Sequence, residues 1–342
     1  MVMKVGSLVF ATDQGLGILA RDFYDNGIVT DVMVVAHGRR PEHMDWYPGA
    51  GRISSLGHDG FCRAFDFLKG MDMALFFETP FIWPLLPALK ERGVKTAICV
   101  MYECMPDPLP HLPDLILNPS LLDQQYYPNG IYLPVPVNTD KVQWRQRTKA
   151  EVFVHNAGHG GLKGRNGTAE LLEALRYVQS PARFLIRSQE PLDTQRKLDA
   201  LNLRRAIEVQ TGTVPYNQLF AEGDVLVHPH KFDGLSLPLQ EARAAGMLVM
   251  STDRFPDNTW LPADPLIPQV RSQRTRLSPR LAEIDEAVID PKAIAAKIDQ
   301  WYGADISAES VHGREWAQAN NWQALKPKYL EVLQSLLSRE KP

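Results

Sequence analysis

The chain has 342 residues, enough for two domains at about 100–200 residues each. Its 44% hydrophobic and 23% charged residues exclude a disordered chain, and a formal charge of -3 excludes the overall basic excess of a dedicated nucleic-acid binder. Cys62, Cys99 and Cys104 are too few for a disulfide framework or a four-ligand zinc site and fit a reducing cytoplasm. No run approaches the ~20 apolar residues that span a bilayer, so the expected location is cytoplasmic, with any membrane contact peripheral.

Taken in order, residues 4–10, 31–36, 74–77, 96–101 and 115–117 are short apolar runs that read as strands. Between them, residues 17–26 and 83–92 read as helices, each followed by a glycine, Gly27 and Gly93, that suits a left-handed cap. Strands alternating with helices predict a parallel sheet covered on both faces. Residues 39–60, rich in His, Trp, Tyr, Pro and Gly, read as a long loop that carries the choice of binding partner.

Residues 134–150 lapse into Pro, Asn, Thr and charge and read as a crossing between domains. A second series then repeats the alternation. Strands are expected at 151–156, 184–187, 207–210, 225–228 and 248–252, and helices at 168–178, 192–201, 216–222 and 238–245. The expected domains are 1–138, a linker at 139–150, 151–315, and closing helices over 316–342. In such sheets ligands bind beyond the carboxyl ends of the strands. Arg271, Arg274, Arg276 and Arg280 mark either a solvated loop or a contact to an anionic acceptor or lipid.

The stretch VLVHPHKFDGLSLPLQEARAAGMLVMST over 225–252 is the most informative. A strand ends at His228, a turn carries Asp233 and Gly234, and a helix starts near Ser236 with Pro238 in its first turn, where the missing N–H costs nothing. Free N–H groups and the positive end of the helix dipole make a phosphate site there, and Gly234 lets the backbone approach closely. Asp233 before the helix and Glu241 within it are placed to accept charge-assisted hydrogen bonds from hydroxyls.

Strand, Pro, carboxylate-Gly, Pro, Glu-Ala, small residues, Gly and a second apolar strand together resemble the signature of retaining family-4 glycosyltransferases of the GT-B fold. That fold has two Rossmann-like α/β/α domains facing across a cleft, with a C-terminal helix crossing back to the first. The family usually has two Glu at this spacing; here Asp233 stands in the first place. The resemblance implies that Asp233 contacts donor-sugar hydroxyls, that Leu235, Ser236 and Leu237 present N–H groups to a diphosphate, and that Glu241 holds the ribose.

Three more segments follow the same order. HNAGHGGLKGRNGTAELLEAL over 155–175 resembles the family's first strand, loop and helix of the nucleotide domain. Asn166 falls where a Lys is common, so the diphosphate clamp is Arg165 or Lys163. TGTVPYNQLFAEGDVLVHP over 211–229 resembles the base-side loop, with Val214 and Tyr216 near the nucleobase, or Val214 in the core. GREWAQANNWQALKPKYLEVLQSLL over 313–337 resembles the closing helices.

The first domain matches in layout only. Glu103, after the fifth expected strand, stands where the family commonly places a His beside the sugar, and is read as that catalytic group or as a loop cap. The turn from Asp13 through Gly15 to Gly17 either brackets the donor phosphates or simply enters the next helix. His37 and His58 have no visible partners. His155, His159, His228 and His230 show no metal spacing and read as chance clustering at strand ends.

No Asp-x-Asp pair occurs. The expected activity is metal-independent transfer of a sugar, with retention, from a nucleoside-diphosphate sugar, with no other cofactor. The acceptor is open: a glycan, lipid, protein, small molecule or nucleic-acid base. The alternatives are a catalytically silent GT-B protein that binds a nucleotide sugar or a partner chain, and a nicotinamide-dependent oxidoreductase. The second lacks a convincing acidic residue at the end of the second strand.

Overall fold

The computed structural model describes residues 3–159, 164–191 and 206–338; the helix expected at 192–201 lies outside them. The chain divides into two compact units, one of Met1–Pro136, Ser278–Ala282 and Trp322–Pro342, the other of Val137–Leu277 and Glu283–Asn321.

The first unit contains β1 (Val5–Val9), α1 (Gly15–Asp25), β2 (Asp31–Val35), β3 (Gly51–Ile53), α2 (His58–Leu68), β4 (Met73–Glu78), α3 (Leu85–Glu91), β5 (Lys95–Val100), β6 (Leu115–Asn118), α4 (Leu121–Tyr126) and β7 (Ile131–Tyr132). Its strands form one sheet in the order β3-β2-β1-β4-β5-β6-β7, parallel throughout. Every residue of β1 is buried, as near-continuous apolar strands require when both faces are covered. Gly27 and Gly93, at φ 68° and 78°, provide the left-handed turns after α1 and α3.

One face of this sheet packs Leu8, Met33, Phe76 and Ile98 against Leu68 and Leu89. On Phe23 of α1 meet the rings of Phe77, Trp322 and Tyr329, with centroids 4.8, 4.9 and 5.1 Å away. The C-terminal helix Trp322–Ser338 therefore belongs to this unit, and the buried Tyr329 hydroxyl donates to the carbonyls of Leu133 and Pro134 at 3.1 Å each. Residues 39–60 are not one loop. They hold a 3-10 turn at Met44–Trp46, the short strand β3 and the start of α2, and β3 escapes a sequence reading because only one of its three residues is buried.

The second unit contains β8 (Val152–Gly158), α5 (Thr168–Ala174), β9 (Arg183–Ser188), β10 (Ile207–Thr211), β11 (Val225–His228), α6 (Leu237–Ala244), β12 (Leu248–Ser251), β13 (Gln269–Thr275), β14 (Ile284–Ile289), α7 (Pro291–Trp301) and α8 (Ser307–Ala319). Its parallel sheet has the order β10-β9-β8-β11-β12. Chain direction across the sheet reverses between β8 and β11 here, and between β1 and β4 in the first unit, so each unit has a topological switch point.

Two expectations are corrected here. The helix expected at 216–222 is only a 3-10 turn at Tyr216–Gln218, between Pro215 and a left-handed Gly223 at φ 84°. The arginine-rich segment is largely a strand: β13 pairs antiparallel with β14, and Arg274 meets both Glu283 and Asp285 at 3.1 Å. Arg276 also meets Glu283, at 3.7 Å, so two of the four arginines pair within the ribbon, and the exposed, polar face of β13 leaves no alternation to read. No helix among the described residues is long and apolar enough to cross a membrane.

Candidate functional site

The carboxyl ends of β8 and β11 and the start of α6 bring most of the expected residues together. Gly167, at φ 70°, begins α5 where an added Cβ would lie 1.9 Å from the Pro229 carbonyl oxygen. Only glycine lets this loop close onto the chain leaving β11. The Lys231 N–H then donates to the Arg165 carbonyl at 2.6 Å, which joins the two loops at that point. Asn166 is buried, and its amide donates to the Ala157 carbonyl at 2.5 Å and accepts from the Thr168 hydroxyl at 3.2 Å. Asn166 thus braces the loop, while Arg165 is near enough to act electrostatically on both Asp233 and His228. Lys163 lies outside the described residues.

Ser236 caps α6 in the left-handed region, at φ 50° and ψ 48°, a conformation a non-glycine residue keeps only when its surroundings impose it. Those surroundings are a buried hub. His230 Nε2 lies 3.3 Å from the Ser236 hydroxyl, 3.0 Å from Asp257 Oδ2 and 2.8 Å from the Arg254 guanidinium. Arg254 also donates to Asp257 at 2.6 Å and to the Asp233 carbonyl at 2.8 Å. His230 and Asp257 are each 1% exposed.

Asp233 folds back on its own loop. Its Oδ1 accepts from the Leu235 N–H at 3.2 Å, and its carboxylate also takes a backbone hydrogen bond from Ser236. Two of the three amides expected to face a diphosphate are therefore bonded to the protein's own carboxylate, because a side chain as short as Asp readily forms this local turn. Burial pushes the Asp233 carboxyl up, but Arg165, His230, Arg254 and the Ser236 amide outweigh it, and the net shift is downward. It is a carboxylate at neutral pH.

Glu241 is 8% exposed, and the Tyr216 phenol donates to its Oε1, so the base-side and ribose-side candidates meet. Val214 is half-buried in the loop before them, and Gly234 is buried. Three of the four histidines read as chance clustering form a row instead. His155 and His228 have ring centroids 6.0 Å apart, and His228 stacks on His230 at 5.1 Å. His155 donates or accepts at both nitrogens, to the Val227 carbonyl and the Thr168 hydroxyl, each at 2.8 Å. Burial lowers its pKa to about 4, and it lowers that of His228 well below the ordinary range, helped by His230, His155 and Arg165. Among the described residues no group of three or more His, Cys, Asp or Glu is placed to hold a metal ion.

The remaining candidates lie in the first unit. Gly17 sits where an added Cβ would be 2.2 Å from the Thr12 carbonyl oxygen, which accounts for that glycine; Gly15 is the first residue of α1. Asp13 meets His43 Nε2 at 2.8 Å, His43 stacks on Trp46 at 4.7 Å, and the Arg21 guanidinium lies 4.4 Å from the Trp46 ring. Glu103 is 1% exposed, inside the 3-10 turn Tyr102–Cys104, so its carboxyl faces the interior. Sequence reasoning missed Arg254 and Asp257. Their one available signal was charged residues directly after a buried strand, at the same sheet edge as Asp233.

No protein-family model matches this sequence, and no curated protein matches it. Solved structures do. The chain is similar to a glycosyltransferase from Rickettsia africae over 99% of each chain, with a TM-score of 0.71 at 13% identity. It is similar to HepE from Anabaena, solved in complex with UDP and glucose, over 97% of this chain and 100% of that one, with a TM-score of 0.68 at 10% identity. Sucrose-phosphate synthase from Thermosynechococcus elongatus matches over 99% and 100%, with a TM-score of 0.68 at 13% identity. The chain has the GT-B fold. At these identities the likeness is one of architecture, and it extends through both α/β units and the helix that returns to the first. The loop from His228 to Ser236 lies at the carboxyl edge of the second unit's sheet.

Proposed function

We propose that this GT-B chain is a glycosyltransferase that moves a sugar from a nucleoside-diphosphate sugar to an acceptor, with retention at the anomeric carbon and without a metal ion. The observation that carries the reading is the convergence of Arg165, Asp233 and the strained start of α6 at Ser236 beside the switch point of the second sheet. It is supported by the fold shared with glycosyltransferases, one of them solved with UDP-glucose.

In this reading Arg165 or Lys163 offsets the charge of the departing diphosphate, and the helix start adds its dipole. Asp233 holds donor-sugar hydroxyls, Glu241 the ribose, and Val214 and Tyr216 flank the base. The bond from the anomeric carbon to phosphate oxygen breaks, the bond to the acceptor oxygen forms on the same face, and the departing phosphate oxygen takes the acceptor's proton. That route needs no protein base, in keeping with the burial of Glu103.

The hold of Asp233 on the Leu235 and Ser236 amides favours a second reading, a GT-B protein that binds a nucleotide sugar without turning it over. Thermal shift against UDP, GDP, ADP and their sugars finds the donor, since ligand stabilisation follows mass action. Transfer or hydrolysis of the labelled donor then separates the readings. Arg165→Ala is expected to lower turnover by about 100-fold or more, the usual effect of losing one preorganised donor, with the fold intact. Near-normal turnover in that variant removes Arg165 from the site.

A further inference from the structure

Two side chains at the carboxyl edge of the second sheet carry polar atoms that the described residues do not satisfy. Asn156 lies near the end of β8, and both its Oδ1 and its Nδ2 are buried without a hydrogen-bond partner. His228 ends β11, is 6% exposed, and its Nδ1 is buried and likewise without a partner. The two strands are parallel neighbours in the register Val225 with Phe153 and Leu226 with Val154. His228 and Asn156 each lie two residues beyond the last paired position of that register, so both stand toward the carboxyl ends of neighbouring strands. Buried polar atoms are normally paired, and these flank the switch point where open α/β sheets take ligands.

The chemistry of the pair narrows the ligand. A primary amide donates and accepts, and so does a neutral imidazole. Burial and the neighbouring His230, His155 and Arg165 keep His228 uncharged at neutral pH. A phosphate oxygen only accepts, and charged donors suit it better; a hydroxyl both donates and accepts. Arg165, which acts on both His228 and Asp233, is the charged donor close by, and Glu241 with Tyr216 is the pair placed for the ribose.

We infer that Asn156 and His228 bind hydroxyls of the transferred sugar and help decide which sugar the protein accepts. This rests on the glycosyltransferase reading above. Both residues are positioning residues for the donor, and neither moves a proton in the transfer.

The test uses the full chain, titrated with UDP and UDP-glucose, GDP and GDP-mannose, and ADP and ADP-glucose; the pair that binds wild type most tightly is carried into the variants. Asn156→Ala and His228→Phe, which keeps a ring against His230, are expected to weaken the nucleotide sugar about 5- to 10-fold, the scale of one lost hydrogen bond. Affinity for the bare diphosphate stays unchanged. Because the Asn156 amide has no partner to lose among the described residues, the unliganded Asn156→Ala protein should melt no lower than wild type.

Equal weakening of the diphosphate and its sugar overturns the inference in favour of a phosphate or ribose contact. Unchanged affinities overturn it as well, and a lowered melting point with both affinities intact assigns Asn156 a structural role. A folded wild type that binds none of the six compounds defeats the glycosyltransferase reading itself. Binding by wild type with no selective loss in the variants defeats only this inference.

Discussion

The Arg254 guanidinium donates to the main-chain carbonyl of Asp233 at 2.8 Å across 21 positions of sequence, so the segment after β12 holds the backbone of the loop that precedes α6. The same guanidinium is bound to the buried Asp257. The geometry of the proposed donor site is therefore set by a buried ion pair that does not itself face the ligand.

Arg254→Ala should destabilise the protein by about 3–5 kcal/mol, because it leaves the Asp257 carboxylate buried with only His230 beside it. Arg254→Lys should recover little, since an ammonium cannot bond Asp257 and the Asp233 carbonyl in the planar geometry of the fork. Urea unfolding of the three proteins measures both effects, and a loss below about 1 kcal/mol in Arg254→Ala would mean the pair behaves as an exposed one.

Asp233→Ala should have opposite effects on binding and turnover. Releasing the Leu235 and Ser236 amides and removing a negative charge should tighten a bare nucleoside diphosphate by about tenfold, the scale of a charge-assisted hydrogen bond, while sugar transfer is lost. Calorimetric titration beside a transfer assay reads the two. A variant that binds the diphosphate no better than wild type would place the phosphates elsewhere.

Gly167→Ala should cost about 2 kcal/mol or more, since the position combines φ 70° with a 1.9 Å clash against the Pro229 carbonyl and strain of either kind carries that scale. Gly158→Ala is the control. That glycine also has a positive φ, 58°, but nothing lies within 4 Å of an added Cβ, so its cost should stay near 1 kcal/mol. Melting temperatures rank them.

Acid should weaken the second unit in two stages. The pKa of His155 falls from 6.5 unfolded to about 4 folded, so its neutral form favours folding fully above pH 6.5, and that contribution, of order 3 kcal/mol, is lost as pH falls toward 4. His228 acts in the same direction. Asp233, shifted below 3.8, adds stability that is present above that pH and lost below it. Chemical denaturation of wild type and His155→Gln between pH 7 and 4 checks the first stage: the variant should show a shallower pH dependence.

The core strands of both sheets are legible wherever burial is continuous. Val225–His228 is buried at every position and bounded by Asp224 and Pro229, so its limits are readable to the residue. The strand β13 is not, because its residues are exposed on both faces and only pairing with β14 holds it extended. Arg147 shows the same limit inside the expected linker. It is 2% exposed and donates to the carbonyls of Gly223, Phe220, Arg145 and Ala245, and burial lowers its pKa to about 10. In sequence it is one charge among several in a polar stretch.

What the sequence alone determined is the alternation of buried strands and helices, the glycine-punctuated turns and the carboxylate loop leading into α6, since each depends on neighbours within a few residues. Only the tertiary structure decided that Asp233 bonds its own helix start, that Arg254 and Asp257 brace it, and that Asn156 and His228, at the ends of neighbouring strands, hold buried polar atoms that no described residue satisfies. Periodicity records which side of an element is buried, but hydrogen-bond partners are chosen by residues far apart in the chain, and their identity exists only once the sheet has brought its strand ends to one edge.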